Sequence, residues 1–293
     1  MDAPAEIDVL AERLHRHVLK LAERPRPPGS AGHRRAAEYI RAQLGEFGFP
    51  AHDVPFHEAG IAGVNLLSRP QPDRMELPLL IVGAHYDSIP GSPGADDNAS
   101  AVAALLELAK WIGPRLRTHE TMSARLQLAA YDLEECGMIG SFVHCREVRN
   151  AGSAVLGMLS LEMLAYTSPH SGSQQLPPHL AKMYPRIGNF IGICGNEASQ
   201  SLLRTVTDAM RTIEELPVES LAVPGNGESF PEVRLSDHSS FWDHGYHALM
   251  ITDTSFFRNP HYHQVSDKPD TLDYQFLAKV TQGVCKAVHS LLT

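Results

Sequence analysis

Cysteine is scarce in this chain. Four occur in 293 residues (Cys136, Cys145, Cys194 and Cys285), dispersed and without a C-x-x-C pair. That pattern fits buried reduced thiols rather than a disulfide framework, and it offers no motif for thiol catalysis. No run approaches the roughly 18 uncharged apolar residues of a membrane-spanning helix, so no membrane partner is expected. Positive charge is also short: 25 Lys and Arg face 34 Asp and Glu, a net charge of −9. Nucleic-acid binding through a basic face is thereby disfavoured. The G-x-S-x-G of serine hydrolases and the H-E-x-x-H of single-helix zinc proteases occur nowhere. The opening MDAPAEIDVLAERLHRHVLKLAE lacks the apolar core of a secretory signal and instead spaces Ile7, Leu10, Leu14, Val18 and Leu21 as a helix does. The expected compartment is the cytoplasm.

What is present is enough to build a core: 43% hydrophobic and 20% charged residues, with 22 Gly and 21 Pro. The length suits a single large α/β domain over 1–293. Two amphipathic helices, about 4–23 and 31–47, are split by the breaker RPRPPGSAG. Short strands follow near Val54–His57 and Gly63–Ser68. LPLLIVGAH then reads as a buried central strand. Next come a helix at about Ser100–Ile112, the strand ARLQLAAY, a helix over 137–149 and the strand AVLGMLSLE. FIGICG, a helix near 197–215, the strand ALMIT and a helix over 273–291 complete the order. This alternation predicts a three-layer α/β/α sandwich with a mixed, mostly parallel central sheet. The turn-rich stretch 166–188 is either an active-site lid or a surface excursion.

The sixteen His exceed what packing requires. More telling is where acids and imidazoles fall. His85 and Asp87 close one strand, Glu134 and Glu135 follow another, and Glu162 ends a third. His261 and His263 lie beyond ALMIT, and Asp96 and Asp97 sit in the loop GSPGADDNAS. Each has an ordinary reading: a hydrogen-bonded His, an N-cap Asp, a solvated Glu pair, a salt-bridged Glu. Their coincidence at the carboxyl edge of one sheet, where open α/β sheets bind ligands, is a different matter. With no basic cluster nearby in sequence, a cation is the natural neutraliser. Two His with several carboxylates suit Zn²⁺, with Mn²⁺ or Co²⁺ as substitutes, and the surplus of acids suggests two ions and a spare Glu as base.

The segments GAHYDS, PGADDNAS, YDLEECGMIGS, SLEM, SDHSSFW and NPHYHQVSDKPDTLD, in this order over about 83–275, closely resemble the co-catalytic di-zinc aminopeptidase family. RPPGSAGHRRAAEYIRAQLGEFGF also looks like that family's opening helix region. The family includes bacterial leucyl aminopeptidases and, more distantly, glutamate carboxypeptidase, glutaminyl cyclase and the transferrin receptor. The resemblance implies a zinc-dependent exopeptidase hydrolysing the N-terminal bond of a peptide substrate, with a metal-bridging hydroxide as nucleophile. It implies His85 on one zinc, His263 on the other and Asp97 bridging them, with Glu135 completing the His85 site and Glu162 the His263 site. Glu134 would be the general base, Asp87 would orient His85, and Tyr262 would polarise the scissile carbonyl. Many relatives carry Asp where this chain has Glu162. His261 competes with His263, and the H-x-x-x-D ending at Asp267 favours His263. Asp237 and His238 match a segment that more often supports than ligates.

Competing expectations on the same scaffold are a single-zinc glutaminyl-cyclase-like acyltransferase, a carboxypeptidase or deacylase, and a non-catalytic binding protein. The retained bridging acid and Glu pair favour two-metal hydrolysis. The substrate pocket is expected from the 166–188 and 222–236 loops; side-chain preference and oligomeric state are left open.

Overall fold

Continuous apolar strands separated by amphipathic helices produce one eight-stranded sheet, seen here in a computed structural model that describes residues 3–118, 121–177 and 180–293. The helices are α1 (Ala3–Leu21), α2 (Ala31–Glu46), α3 (Ala101–Leu116), α4 (Ile139–Asn150), α5 (Gln200–Met210), α6 (His238–Asp243) and α7 (Tyr274–Leu292). The strands are β1 (Ala51–Glu58), β2 (Ile61–Ser68), β3 (Leu79–His85), β4 (Arg125–Tyr131), β5 (Val155–Glu162), β6 (Ile191–Asn196), β7 (Val218–Val223) and β8 (Ala248–Thr252). Their order across the sheet is β1-β2-β4-β3-β5-β8-β6-β7. The centre, β4-β3-β5-β8, is parallel, as is β6-β7, while β1-β2, β2-β4 and β8-β6 are antiparallel. The expected mixed, mostly parallel α/β/α sandwich is what forms.

Side chains alternate between the two faces of each strand, so a sheet covered on both sides needs apolar residues at every position. In β3, Leu80, Val82 and Ala84 join the core built with α1, α2, α3, α5 and α7, including Leu14, Val18, Leu105, Val206 and Val284. Leu79 and Ile81 face the other way, into a smaller core with Cys145 and Val148 of α4 and Phe241 and Trp242 of α6. Local signals set the helix starts. Ser30 caps α2 by accepting the His33 amide, and Asp273 caps α7 by accepting the Phe276 amide.

Two elements escape the sequence pattern. The edge strand β7, VESLAV, is only partly covered and has no continuous apolar run. The six-residue α6, HSSFWD, is too short for helical periodicity to register. Helix α3 also runs to Leu116, past the expected Ile112, with Pro114 accommodated in its last turn.

The breaker between α1 and α2 has a structural task. Arg26 is buried and donates to the carbonyl oxygens of Leu21 (3.1 Å), Tyr86 (2.8 Å), Pro93 and Gly94 (2.9 Å). It ties the N-terminal helices to the loop between His85 and Asp97. Gly94 in that loop has φ +62°, and a Cβ there would overlap the Asp97 carbonyl oxygen. Replacing Arg26 by Met strips four carbonyls of their shared charged donor. The expected loss is at least about 3 kcal/mol of stability, read as a lower denaturant midpoint; an unchanged midpoint would show that the clamp is dispensable.

Much of the histidine surplus is structural. His33 Nε2 lies 2.8 Å from Asp132 Oδ1, His144 Nδ1 lies 2.9 Å from the Tyr131 hydroxyl, and His238 Nε2 lies 2.8 Å from the Val233 carbonyl oxygen. Burial lowers His144 to about 4 and His238 to about 3, so both are neutral packing groups.

Candidate active site

The parallel register delivers the site. Within the sheet, Gly83 pairs with Ser160 and His85 with Tyr131. Two residues beyond Gly83 and Ser160, His85 and Glu162 emerge side by side at the carboxyl ends of β3 and β5. His85 Nε2 is 3.5 Å from Glu162 Oε1 and 3.3 Å from Asp97 Oδ1. The other oxygen of Asp97 is 3.2 Å from His263 Nε2, so one carboxylate joins two imidazoles. His263 Nε2 lies 3.0 Å from Glu135 Oε2, and Glu134 Oε2 lies 3.8 Å from His85 Nε2.

These contacts cross the pairing expected from the family resemblance. Glu162 is the close neighbour of His85, and Glu135 that of His263. The adjacency of β3 and β5 explains the first pairing. The second arises because Glu135 lies beyond the end of β4, in a turn with Leu133 and Met138 at positive φ, rather than on the strand itself. Ligand atoms of His85, Asp97 and Glu135 also lie within 4.8 Å of one another, as do those of His85, Glu134 and Glu162. The cluster is therefore one compact basin rather than two separate ones.

The supports are as specific as the basin. Asp87 Oδ1 accepts the Glu134 amide and Oδ2 the Glu135 amide, both at 3.2 Å, while its Oδ1 stands 3.4 Å from His85 Nδ1. It braces the Glu turn as well as the imidazole. Asp267 accepts the amides of Asp96 (2.9 Å) and Asp97 (3.1 Å). Asn98 donates to Leu161 O and accepts the Met163 amide, stapling this loop to the end of β5. Ser236 donates to Glu162 Oε2 at 2.7 Å. Asn98 and Ser236 stand inside PGADDNAS and SDHSSFW, but no local pattern marks either for these roles.

The remaining expectations also find places. His261 bonds Ser266 Oγ through Nδ1 and is absent from the basin contacts, which leaves His263 as the histidine at Asp97. His238 turns to the Val233 carbonyl. Asp237 is fully buried but belongs to neither ligand cluster; burial pushes it up to about 7. Tyr262 stacks on His263 with ring centroids 3.8 Å apart and lines the adjoining pocket.

Electrostatically the basin is strained by its own acids. Burial pushes Glu134 well above the usual carboxylate range, Glu135 to about 7, and Glu162 upward. Burial also acts to raise Asp97, but its close contacts with the His263 and His85 imidazoles outweigh it and hold its carboxyl low. For both imidazoles burial favours the neutral form; the surrounding carboxylates overcome it, raising His85 well above normal and His263 to about 10. Both ring nitrogens of His85, and Oε1 of Glu135, are buried without a hydrogen-bond partner. Orphaned imidazole and carboxylate atoms converging in a largely buried basin are a donor set that fits divalent zinc.

A pocket opens from this basin. Its walls include residues of the 166–188 stretch (Leu176, Pro177, Leu180, Tyr184) and of the 222–236 loop (Phe230, Val233, Leu235), the two stretches expected to build it. These four residues bring the 166–188 stretch into the site.

Imidazoles linked by a carboxylate at the carboxyl edge of a mostly parallel sheet, beside a largely apolar open pocket, are the layout of an α/β metal-dependent enzyme. The chain belongs to peptidase family M28, which residues 65–288 match. It is 36% identical over 272 residues to the uncharacterized YfbL protein of Escherichia coli, spanning 87% of this chain and 80% of that one. A probable leucine aminopeptidase of Arthroderma otae is 24% identical over 70% of this chain, which spans about half (52%) of that protein's length. Among solved structures, the LapA aminopeptidase of Legionella pneumophila superposes with a TM-score of 0.75 at 16% identity, covering 99% of this chain and 75% of that one. The glutaminyl cyclase of Porphyromonas gingivalis gives 0.69 at 18%, covering 96% and 97%. The fold is thus shared by peptidases and a cyclase, and the site must decide the chemistry. Among the described residues, no helix is long and apolar enough to cross a membrane.

Proposed function

We propose that this chain is a two-zinc aminopeptidase, folded as one metallopeptidase domain and removing single residues from peptides with a free N-terminus. The observation that carries the reading is Asp97, whose two oxygens stand 3.3 and 3.2 Å from His85 and His263. His85, Asp97, Glu135, Glu162 and His263 would hold the ions, paired as the contacts pair them: Glu162 with His85 and Glu135 with His263. Bound there, the metals supply Lewis acidity toward the scissile carbonyl and acidify water.

The chain's own residues do the rest. Glu134, whose carboxyl burial has already made more basic, takes a proton from the attacking water and returns it to the leaving amine. The carboxylates of Glu134 and Glu162 attract the substrate's α-ammonium group. Tyr262, held against His263, donates its hydroxyl to the carbonyl oxygen as charge develops. Asp87 keeps His85 and the Glu134–Glu135 turn in place. The four unpaired cysteines, Cys136 exposed among them, suit a reducing compartment, in keeping with a cytoplasmic location.

The test is cleavage of a short-peptide library by zinc-loaded protein, each peptide supplied with a free and an acetylated N-terminus. Stepwise loss of N-terminal residues from the free set alone is the expected result. Equal cleavage of the acetylated set would redirect the assignment to carboxypeptidase or deacylase chemistry.

A further inference from the structure

The register that sets His85 beside Glu162 continues across the sheet. Glu162 pairs with Thr252 of β8, Thr252 with Gly192 of β6, and Gly192 with Glu219 of β7. Residues paired in one transverse row point to the same face. The row Glu162–Thr252–Gly192–Glu219 therefore forms a floor leading away from the metal basin, about 14 Å from first Cα to last at the ordinary strand spacing. Thr252, Gly192 and Glu219 all line the pocket, as do Met250, Cys194 and Leu221 of the next row.

Gly192 keeps this floor open. A Cβ built there meets the Thr252 carbonyl oxygen at 3.4 Å, the Thr254 methyl at 3.5 Å and the Thr252 methyl at 4.0 Å, so glycine leaves the floor one side-chain layer lower than any other residue would. The channel lining is mostly apolar, with the Glu219 carboxylate at the far end of this row. Glu219 is partly buried. Among the described residues it has no salt-bridge partner, and no Lys or Arg lines the pocket. Of the arginines on neighbouring segments, Arg211 donates to the Val218 carbonyl, Arg234 to Asp243 and the Asn226 carbonyl, and Arg258 to Gln174 and the Phe190 carbonyl. Glu232, exposed at the rim, adds charge of the same sign.

We infer that this channel receives the side chain of the substrate's N-terminal residue and that Glu219 selects a long side chain with a cationic tip, lysine or arginine. This rests on the aminopeptidase reading, which puts the substrate's α-amine at the Glu162 end of the row. The aliphatic stem then lies over Thr252 and Gly192 against Met250 and Cys194, and the ammonium or guanidinium head reaches Glu219. A wholly apolar side chain fills the same walls but covers the carboxylate without pairing it, which costs free energy.

The experiment compares kcat/KM of the zinc-loaded protein for lysyl, arginyl, norleucyl and alanyl p-nitroanilides. Norleucine matches the stem of lysine without its charge. The expected lysine-to-norleucine ratio is about 10–100-fold, the range of one charge-assisted hydrogen bond. Glu219→Gln brings that ratio close to one, and a ratio is indifferent to the fraction of folded enzyme. Calorimetric binding of lysinamide and norleucinamide to both proteins gives the same comparison without turnover. Norleucine processed as well as lysine, or a ratio that Glu219→Gln leaves unchanged, overturns the inference. Failure to cleave any substrate, alanyl included, instead sinks the aminopeptidase reading, and the calorimetric ratio then decides the role of Glu219.

Discussion

Glu134→Gln is expected to retain its full zinc content and to lose about 10²–10⁴-fold in kcat, the usual contribution of a positioned general base. The neighbouring geometry makes this a clean substitution. Glutamine keeps the shape of the side chain, and the Glu134 amide still donates to Asp87, so the turn that presents Glu135 is preserved. Of the acids in the basin, Glu134 is the one without a close imidazole: its nearest is His85 at 3.8 Å, against 3.0–3.5 Å for the other three. Without bound metal, burial pushes its pKa well above the normal range, the direction a proton acceptor needs. Metal analysis alongside steady-state kinetics separates the possibilities. Near-normal turnover with metal bound would remove Glu134 from the proton-transfer step. Loss of metal in proportion to activity would make it a ligand and pass the base role to Glu135.

That ambiguity marks where sequence reasoning ran out. An adjacent Glu pair after a strand can be recognised as chemically important, but the two side chains differ only in which way the turn throws them. The same holds for the ligand pairing. His85 and Glu162 are 77 positions apart, and nothing local tells that β3 and β5 are neighbours. Once the register places Gly83 opposite Ser160, their contact follows directly. The strands that carry the site were legible because burial on both faces makes them continuous apolar runs. Edge strand β7 was not, because half-covered VESLAV obeys no such constraint, and with it Glu219 went unseen. The histidine count, by contrast, carries little, as His238 and His144 show. Their count suggested metal chemistry, while burial and single hydrogen bonds account for them. Arg26 sits in what reads as a helix breaker, and its four carbonyl partners come from segments that only the fold brings together.

Asp97→Ala should do to the metal centre what Glu134→Gln spares. The Asp97 backbone is anchored independently of its side chain, through Asp267 at the amide and through the Asn98 staple to β5. The loop is therefore expected to stay in place while the one carboxylate shared by His85 and His263 disappears. Zinc bound only by the folded protein stabilises it by about 2.7 kcal/mol at a free concentration one hundred times its dissociation constant. For a chain of this size that corresponds to roughly 4–5 °C in Tm. The wild-type protein is expected to show such a rise on metal loading and to lose it with a chelator. Asp97→Ala is expected to show little of it, to bind fewer than two zinc ions, and to lose more activity than Glu134→Gln. The metal-free proteins provide the control. Removing Asp97 there deletes a carboxylate that both imidazoles favour in its charged form, so the apo variant should be no more stable than apo wild type. Retention of two ions with an undiminished thermal shift would mean that Asp97 does not bridge, and that the basin holds its metals through the glutamates and histidines alone.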